Sequence, residues 1–326
     1  MSEIMLTDNV LTSKDKRDHI KARFGYRRSS HIVKPGLYSL GRPGSESPVF
    51  VTANYTLSFD ALRSSIKGID GYILVLDTKG VKVWCAAGKG TFGTKEVVHQ
   101  VQETGLASVV SHRRLILPQL GAPGVSAHEV QKQTGFKVEY GPVRAEDLPR
   151  YLEKGPDPEM RRVKFPLKDR IVLIPVEINQ SLIIMVVAAL VLFLMEGAVP
   201  ALMALTVVFT GTVLFPILMP WLPTRDFSSK GIMLGLLMSL PFVANTIFNH
   251  GADPYWATAL FAVADMLLIA PGVGYLALNF TGSSTFASRT GVKREIFRYI
   301  PIMVAMFIVG GVLFAFAAIA SFAGWY

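Results

Sequence analysis

The sequence predicts an α/β domain with a mainly parallel sheet, followed by an all-α transmembrane domain of five helices. Three observations lead there. Short β-branched runs alternate with helical segments between residues 35 and 154, which is the pattern of a sheet layered with helices. Five apolar spans fill residues 178–326, each near the ~20 residues that a bilayer core requires. The charge divides at the same place. Only six of the 33 Lys and Arg residues follow position 170, against six of the 24 Asp and Glu, so the whole net charge of +9 lies in the first part.

Residues 1–34 form a basic N-terminal arm. From Lys14 to Arg28, cations surround Ile20 and Phe24, which fits either a helix lying on lipid or a solvated, partly disordered segment. Residues 48–53 read as a buried strand and residues 58–66 as a helix capped by Ser58. Residues 72–77 are a second strand. Residues 94–104 read as a helix with Thr94 as its cap, and residues 108–110 and 115–117 as strands. Ser126 and Glu129 have capping-box spacing and open a helix to Thr134. Residues 137–140 are a last strand and 145–153 a last helix. Ligands of such sheets bind beyond the carboxyl ends of the strands, here residues 52–58, 77–88, 119–124 and 140–144.

Residues 155–177 read as a basic, proline-containing linker beside a membrane. The spans follow at 178–195, 198–222, 231–248, 255–280 and 299–324. The connections 223–230 and 281–298 carry every Lys and Arg after residue 170, and 196–197 and 249–254 carry none. This charge bias places the α/β domain in the cytoplasm and the C-terminus, with Trp325 and Tyr326, at the outer interface of a multi-pass inner-membrane protein. Within the spans Asp265 is the one carboxyl, expected to hydrogen-bond between helices. Gly272, Gly274, Gly310 and Gly311 read as helix contacts.

Several function classes fall away. The basic excess beside a bilayer is expected to meet anionic lipid, so no nucleic-acid partner is expected. A single cysteine forms no internal disulfide and cannot hold an iron–sulfur cluster alone, so if the chemistry needs electrons another protein must bring them. Residues 1–30 lack an apolar signal core, so the polar part is expected to remain in the cytoplasm.

The chemistry is expected in the stretch from Lys82 to Gly93. Cys85, the only cysteine, follows the bulky Val83 and Trp84 and opens a run of small residues, Ala86, Ala87, Gly88 and Gly90. A flat ligand can approach the backbone of such a run. Free amides at a helix start and the flanking Lys82 and Lys89 favour a thiolate. Gly88, Gly90 and Gly93 also fit a dinucleotide fingerprint, and Arg113 and Arg114 are candidates for a 2′-phosphate, which keeps an NADP-binding membrane oxidoreductase as an alternative. His112 is a candidate ligand or a plain surface histidine.

Residues 82–89, Lys-Val-Trp-Cys-Ala-Ala-Gly-Lys, closely resemble the signature of the mercury-methylating corrinoid proteins, membrane-anchored relatives of the corrinoid iron–sulfur protein large subunit. The resemblance continues through Ala53-Asn54-Tyr55, residues 57–60, residues 90–94, residues 117–124 and residues 139–143. It implies a Rossmann-like corrinoid-binding domain over residues 35–154. It implies a cobalamin-type cofactor whose cobalt takes Cys85 as lower axial ligand, and methyl transfer to Hg(II) as the reaction. The cofactor would be held by Thr52, Asn54, Ser58, Lys82, Val83, Trp84, Ala86, Ala87, Gly88, Lys89, Gly121, Tyr140, Gly141 and Pro142. It further implies a small ferredoxin with two iron–sulfur clusters as reductant and a methyl-donor protein or methyl-folate as donor. Lys82 departs from the signature, which has asparagine there. A corrinoid methyl carrier with a different acceptor is therefore the alternative within the resemblance.

Overall fold

The computed structural model describes residues 3–27, 30–250 and 252–325. The chain divides into two compact units, Met1–Lys164 and Phe165–Tyr326.

The first unit is built on six strands, β1 (Met5–Thr7), β2 (Gly36–Leu40), β3 (Val49–Ala53), β4 (Gly71–Leu76), β5 (Arg114–Leu117) and β6 (Lys137–Tyr140). They lie in the order β1-β2-β4-β3-β5-β6. The four strands expected at 48–53, 72–77, 115–117 and 137–140 are present and mutually parallel. β1 and β2, which the sequence reading did not anticipate, run against them, because β2 pairs antiparallel with β4 and β1 parallel with β2. The helices are α1 (Ser13–Arg23), α2 (Thr56–Ser65), α3 (Val83–Lys89), α4 (Thr94–Glu103), α5 (Leu106–Val109), α6 (Ala127–Thr134) and α7 (Leu148–Lys154). β3 and β4 are buried on both faces. Alternate residues feed two cores: Val49, Val51, Leu74 and Leu76 meet Val97, Val101 and Phe136 on one side, and Phe50, Ile73 and Val75 meet Phe59, Leu62 and Ile66 on the other. Each such side chain contributes roughly 1.5–3 kcal/mol of transfer free energy. The connection from β3 goes to β4 on one flank, and the chain then crosses to β5 on the other. The carboxyl ends of β3 and β5 therefore flank a topological switch point.

Five local expectations need correction. Helix α2 starts at Thr56, not at Ser58, because Ile32 bridges Tyr55 and the Thr56 amide donates to His31 O at 3.0 Å, which fixes the chain two residues earlier. Ser58 thus sits in the first turn. Gly93, not Thr94, caps α4; the Thr94 hydroxyl instead accepts from the Ser126 amide at 2.8 Å. Residues 108–110 form no strand. Gly105 turns left-handed at φ 60° and restarts the helix as α5, an outcome that a short apolar run cannot distinguish from a strand. The helix expected at 145–153 opens as a 3-10 turn, Ala145–Asp147, with Pro149 in the first turn of α7. Lastly, the N-terminal arm is folded onto the sheet. Thr12 and Asp15 make a capping box on α1. Arg63 of α2 then gathers Asp60 (2.6 Å), Asp15 (3.0 Å) and Asp8 (3.0 Å), while His19 meets Asp60 at 2.7 Å and His31 meets Asp18 at 2.8 Å. Burial alone pushes the Asp15 carboxyl up, but hydrogen bonds from Thr12 and Arg63 and the guanidinium charge hold it below the ordinary value. Arg28, at the end of the basic segment, lies outside the described residues.

The second unit contains α8 (Leu167–Ile171), α9 (Ile174–Glu196), α10 (Ala198–Phe209), a π turn at Thr210–Leu214, α11 (Phe215–Leu218), α12 (Phe227–Asn249), α13 (Tyr255–Phe280) and α14 (Arg289–Phe322). Among the described residues five helical spans are long and apolar enough to cross a membrane. The last helix starts ten residues before the apolar span expected at 299–324. Asp265 accepts from the Thr246 hydroxyl at 2.6 Å, the interhelical bond expected of it. Cβ atoms added at Gly272, Gly274 or Gly310 would crowd Val207, Ile232 or Leu267, so those three are close contacts; Gly311 faces nothing within 4 Å. Tyr326 and Gly251, in the terminus and loop assigned to the outer side, lie outside the described residues.

Candidate cofactor site at the sheet switch point

The expected short helix around the cysteine is α3, and it lies directly after the carboxyl end of β4. Its seven residues begin without a side-chain cap, since Lys82 occupies the capping position and cannot accept from an amide. Gly90 ends it in the left-handed conformation at φ 83°, and the amides of Thr91 and Phe92 return to Ala86 O. Ala86 and Ala87 point into the core, at 0% and 5% exposure, and half-buried Val83 packs against the same core. The opposite face carries Cys85 and Gly88, three residues apart and hence neighbours. Cys85 is a half-buried free thiol. A Cβ on Gly88 would meet nothing within 4 Å, so space is open beside the sulfur. Trp84 and Lys82 are half-buried and Lys89 is exposed.

The segment after β5 lies against α3. Its Gln119–Gly121 turn packs on the helix. A Cβ on Gly121 would come within 2.5 Å of the Phe92 ring, and one on Gly124 within 2.2 Å of Phe92 O and 2.9 Å of Ala87 Cα. Both glycines are therefore required by close approach. The Gly141 amide donates to Leu117 O at 2.8 Å, and the Gln119 amide to Pro142 O at 3.3 Å, which joins the segment after β6 to the same cluster. The Tyr140 hydroxyl donates to Val125 O, and burial raises its ionisation above the usual phenol value. One polar atom here has no partner among the described residues: the Gln119 Oε1 is buried and accepts nothing.

Asn54, just past β3, works differently from the other expected residues. It is 1% exposed, and its Oδ1 accepts from the Thr78 amide (3.0 Å), the Thr78 hydroxyl (2.8 Å) and the Gly80 amide (3.0 Å). Its Nδ2 donates to Asp77 at 3.1 Å. Asn54 thus clasps the loop that carries α3, and Lys79 and Gly80 in that loop take φ of 58° and 69°. Burial raises the Asp77 carboxyl, but Lys79 and Asn54 together hold it below its ordinary value. Asn54→Ala is expected to leave the Thr78 and Gly80 amides without their acceptor at a cost of about 3 kcal/mol. Hydrogen exchange of residues 77–82 should then rise strongly, and unchanged exchange there would remove the clasp role. Thr52 is buried in β3 beside Val75, and Ser58 stays half-buried in the first turn of α2. The structure therefore sets the Gln119–Gly121 turn against the helix of Cys85 and Gly88, ties Gly141 and Pro142 to Leu117 and Gln119, and uses Asn54 to hold the loop before α3.

The arginines proposed for a 2′-phosphate in the dinucleotide alternative lie elsewhere. His112, Arg113 and Arg114 sit at the amino end of β5, away from the glycines of α3. Arg114 is paired with Glu139 at 2.9 Å, Arg113 donates to the carbonyls of Val110, His112 and Ala107, and His112 bonds Ser47 O. None of them can reach a phosphate at Gly88. Among the described residues no group of three His, Cys, Asp or Glu could hold a metal ion by itself.

Fold and site define an α/β unit with a mixed six-stranded sheet and a cysteine-bearing helix at its switch point, in a chain with membrane-length helices. Comparison with known proteins narrows the class. Residues 24–152 match the family described as CO dehydrogenase/acetyl-CoA synthase delta subunit. Over 129 residues, 39% of the chain, the sequence is 35% identical to the acetyl-CoA decarbonylase/synthase complex subunit gamma of Archaeoglobus fulgidus and to that of Methanopyrus kandleri. The same subunit of Methanothermobacter thermautotrophicus is 33% identical over the same length. These matches cover 27% and 28% of the relatives, so the chain spans little more than a quarter of their length. The family match lies wholly within the first unit.

Proposed function

We propose that the first unit holds a cobalt corrinoid against the open face of α3 and that the chain is a membrane-held methyl-transfer protein. The observation that carries this reading is the single free thiol beside Gly88, on an open helix face at the carboxyl ends of parallel strands. The donor set fits the group. A thiolate is a soft donor suited to cobalt, the neighbouring small residues leave room for a flat ring, and Gln119 Oε1 is a buried acceptor that can take a hydrogen bond from an amide on the ring edge. When bound, a corrinoid supplies a metal centre that accepts and releases a methyl group.

The protein's own part is placement and electronics. Cys85 would offer the cobalt a soft sulfur donor, and the bound group would supply the methyl-transfer chemistry. Ala86 and Ala87 anchor α3 in the core so that the sulfur is held still. Trp84, Lys89, Gly121, Tyr140, Gly141 and Pro142 are assigned to the cofactor side, Val83 helps anchor α3 in the core, and Thr52, Asn54 and Ser58 lie in β3, just past it and in α2. Electrons come from a small ferredoxin with two clusters and the methyl group from a donor protein or methyl-folate. The unit faces the cytoplasm beneath an inner membrane crossed five times, with the C-terminus outside.

The acceptor proposed is Hg(II). The relatives' names, which speak of an acetyl-CoA decarbonylase/synthase complex, favour a carrier with another acceptor as the second reading. Lys82 separates them. It stands at the capping position of α3, three residues before Cys85, where asparagine would cap an amide and a lysine adds a charge. Lys82→Asn is expected to stabilise the unit by about 1 kcal/mol through the restored cap and to raise the rate of methylmercury formation. A more stable variant with an unchanged rate would point to another acceptor. The founding test is cobalt analysis of the purified protein. One cobalt per chain and a base-off corrinoid spectrum are expected, and a preparation without cobalt after reconstitution with corrinoid would end the reading.

A further inference from the structure

The N-terminal segment carries a second surface, unrelated to the Cys85 face. Folding sorts its charges. The acidic residues of α1 turn inward, Asp15 to Arg63 and Thr12 and Asp18 to His31. Lys14, Lys16, Arg17, Lys21, Arg23 and Arg27 are left exposed, and none forms an ion pair among the described residues. Between them lie apolar side chains that a soluble surface does not need: Ile20 is 57% exposed, Phe24 53% and Tyr26 53%, with Arg27 over the Tyr26 ring at 5.5 Å. The helix is not free to rearrange, because Arg63, His19 and His31 hold its inner face. We infer that this fixed basic and aromatic face docks on an anionic lipid surface.

Two considerations select lipid. Cations interspersed with aromatic and aliphatic tips match a headgroup layer, where the charges meet phosphates and the apolar tips enter the acyl boundary. The same chain also carries five helices of membrane-crossing length, so a bilayer is present at high local concentration whenever the protein is. An acidic protein would satisfy the charges too, and the test distinguishes it.

The full chain is reconstituted in nanodiscs of phosphatidylcholine alone or with about 30% phosphatidylglycerol, and lysine accessibility is read by amine-reactive labelling and mass spectrometry. Labelling of Lys16 and Lys21 is expected to fall about fivefold in the anionic discs and to recover at about 0.5 M salt. Lys132 on α6 serves as the internal reference and should not change. Ile20→Asp with Phe24→Asp, both at exposed positions, is expected to abolish the protection at an unchanged melting temperature. Equal labelling of Lys16 and Lys21 in the two lipids, or an equal fall at Lys132, overturns the inference and leaves an acidic protein as the occupant. The lipid comparison in the unmodified chain decides the matter even where the double variant is unstable. Cobalt binding plays no part in this readout, so its failure and the failure of the corrinoid reading are distinguishable.

Discussion

Cys85→Ala is expected to reduce methyl transfer by roughly 100-fold or more while leaving the fold unchanged. In the proposed function Cys85 would be the soft donor to the corrinoid's cobalt, and its removal would take away the electron density that donor supplies to the metal. Cys85 is half-buried on the open face, not packed in the core, and alanine already occupies the next two helix positions. Neither the core nor the α3 backbone should therefore respond. The measurement pairs the visible spectrum of the corrinoid-loaded protein with the transfer rate, and circular dichroism with the melting temperature. A variant with the wild-type spectrum and rate would show that sulfur does not ligate cobalt. A variant that fails to fold would assign the residue to structure instead.

Gly124→Ala is expected to produce the largest loss of stability at the site. Its added methyl would lie 2.2 Å from the Phe92 carbonyl oxygen and 2.9 Å from Ala87 Cα, and both obstacles are backbone. Neither can swing away as a side-chain tip does. The clash resolves only if the segment after β5 separates from α3, which breaks the bond from the Thr94 amide to Gly124 O (3.2 Å) and uncovers fully buried Phe92. Forced overpacking of this kind costs about 3 kcal/mol, and the loaded corrinoid should be lost with it. The comparison is Gly135→Ala, where the residue has positive φ but nothing within 4 Å; it should cost less because only backbone strain is incurred. Equal melting temperatures for Gly124→Ala and the unmodified chain would mean that the two segments do not pack as described.

How much of this was legible beforehand depends on whether the information was local. The four parallel strands announce themselves as β-branched runs between turn residues, since a strand buried on both faces must be apolar at every position, as 71–76 is. The membrane-length helices are legible for the same reason, because a span in lipid must be apolar throughout. The helix around Cys85 was readable from its run of small residues, while its left-handed stop at Gly90 came from the structure. β1 and β2 were missed, because a three-residue edge strand and a strand holding Gly36 and Ser39 carry little pattern of their own. Residues 108–110 were misread because so short a run, with two valines, suits either geometry. Arg63 gave no signal at all: its partners Asp8 and Asp15 lie 55 and 48 residues away.

Composition and local pattern by themselves determined the division into a charged α/β part and an apolar helical part, the parallel strands, and the thiol among small residues. Each of these is enforced by solvent or backbone sterics acting on near neighbours in the chain. Tertiary structure alone decided that the Gln119–Gly121 turn and Gly124 pack on the cysteine helix, that residues 141–142 join the segment after β5, that Asn54 holds the loop before that helix, that Arg113 and Arg114 stand at the other end of the sheet, and that the acidic residues of α1 turn inward. Those outcomes depend on strand order and on contacts between distant segments, where a hydrogen bond or a 2.2 Å approach is fixed by the crossing at β3 and not by any residue's own preference.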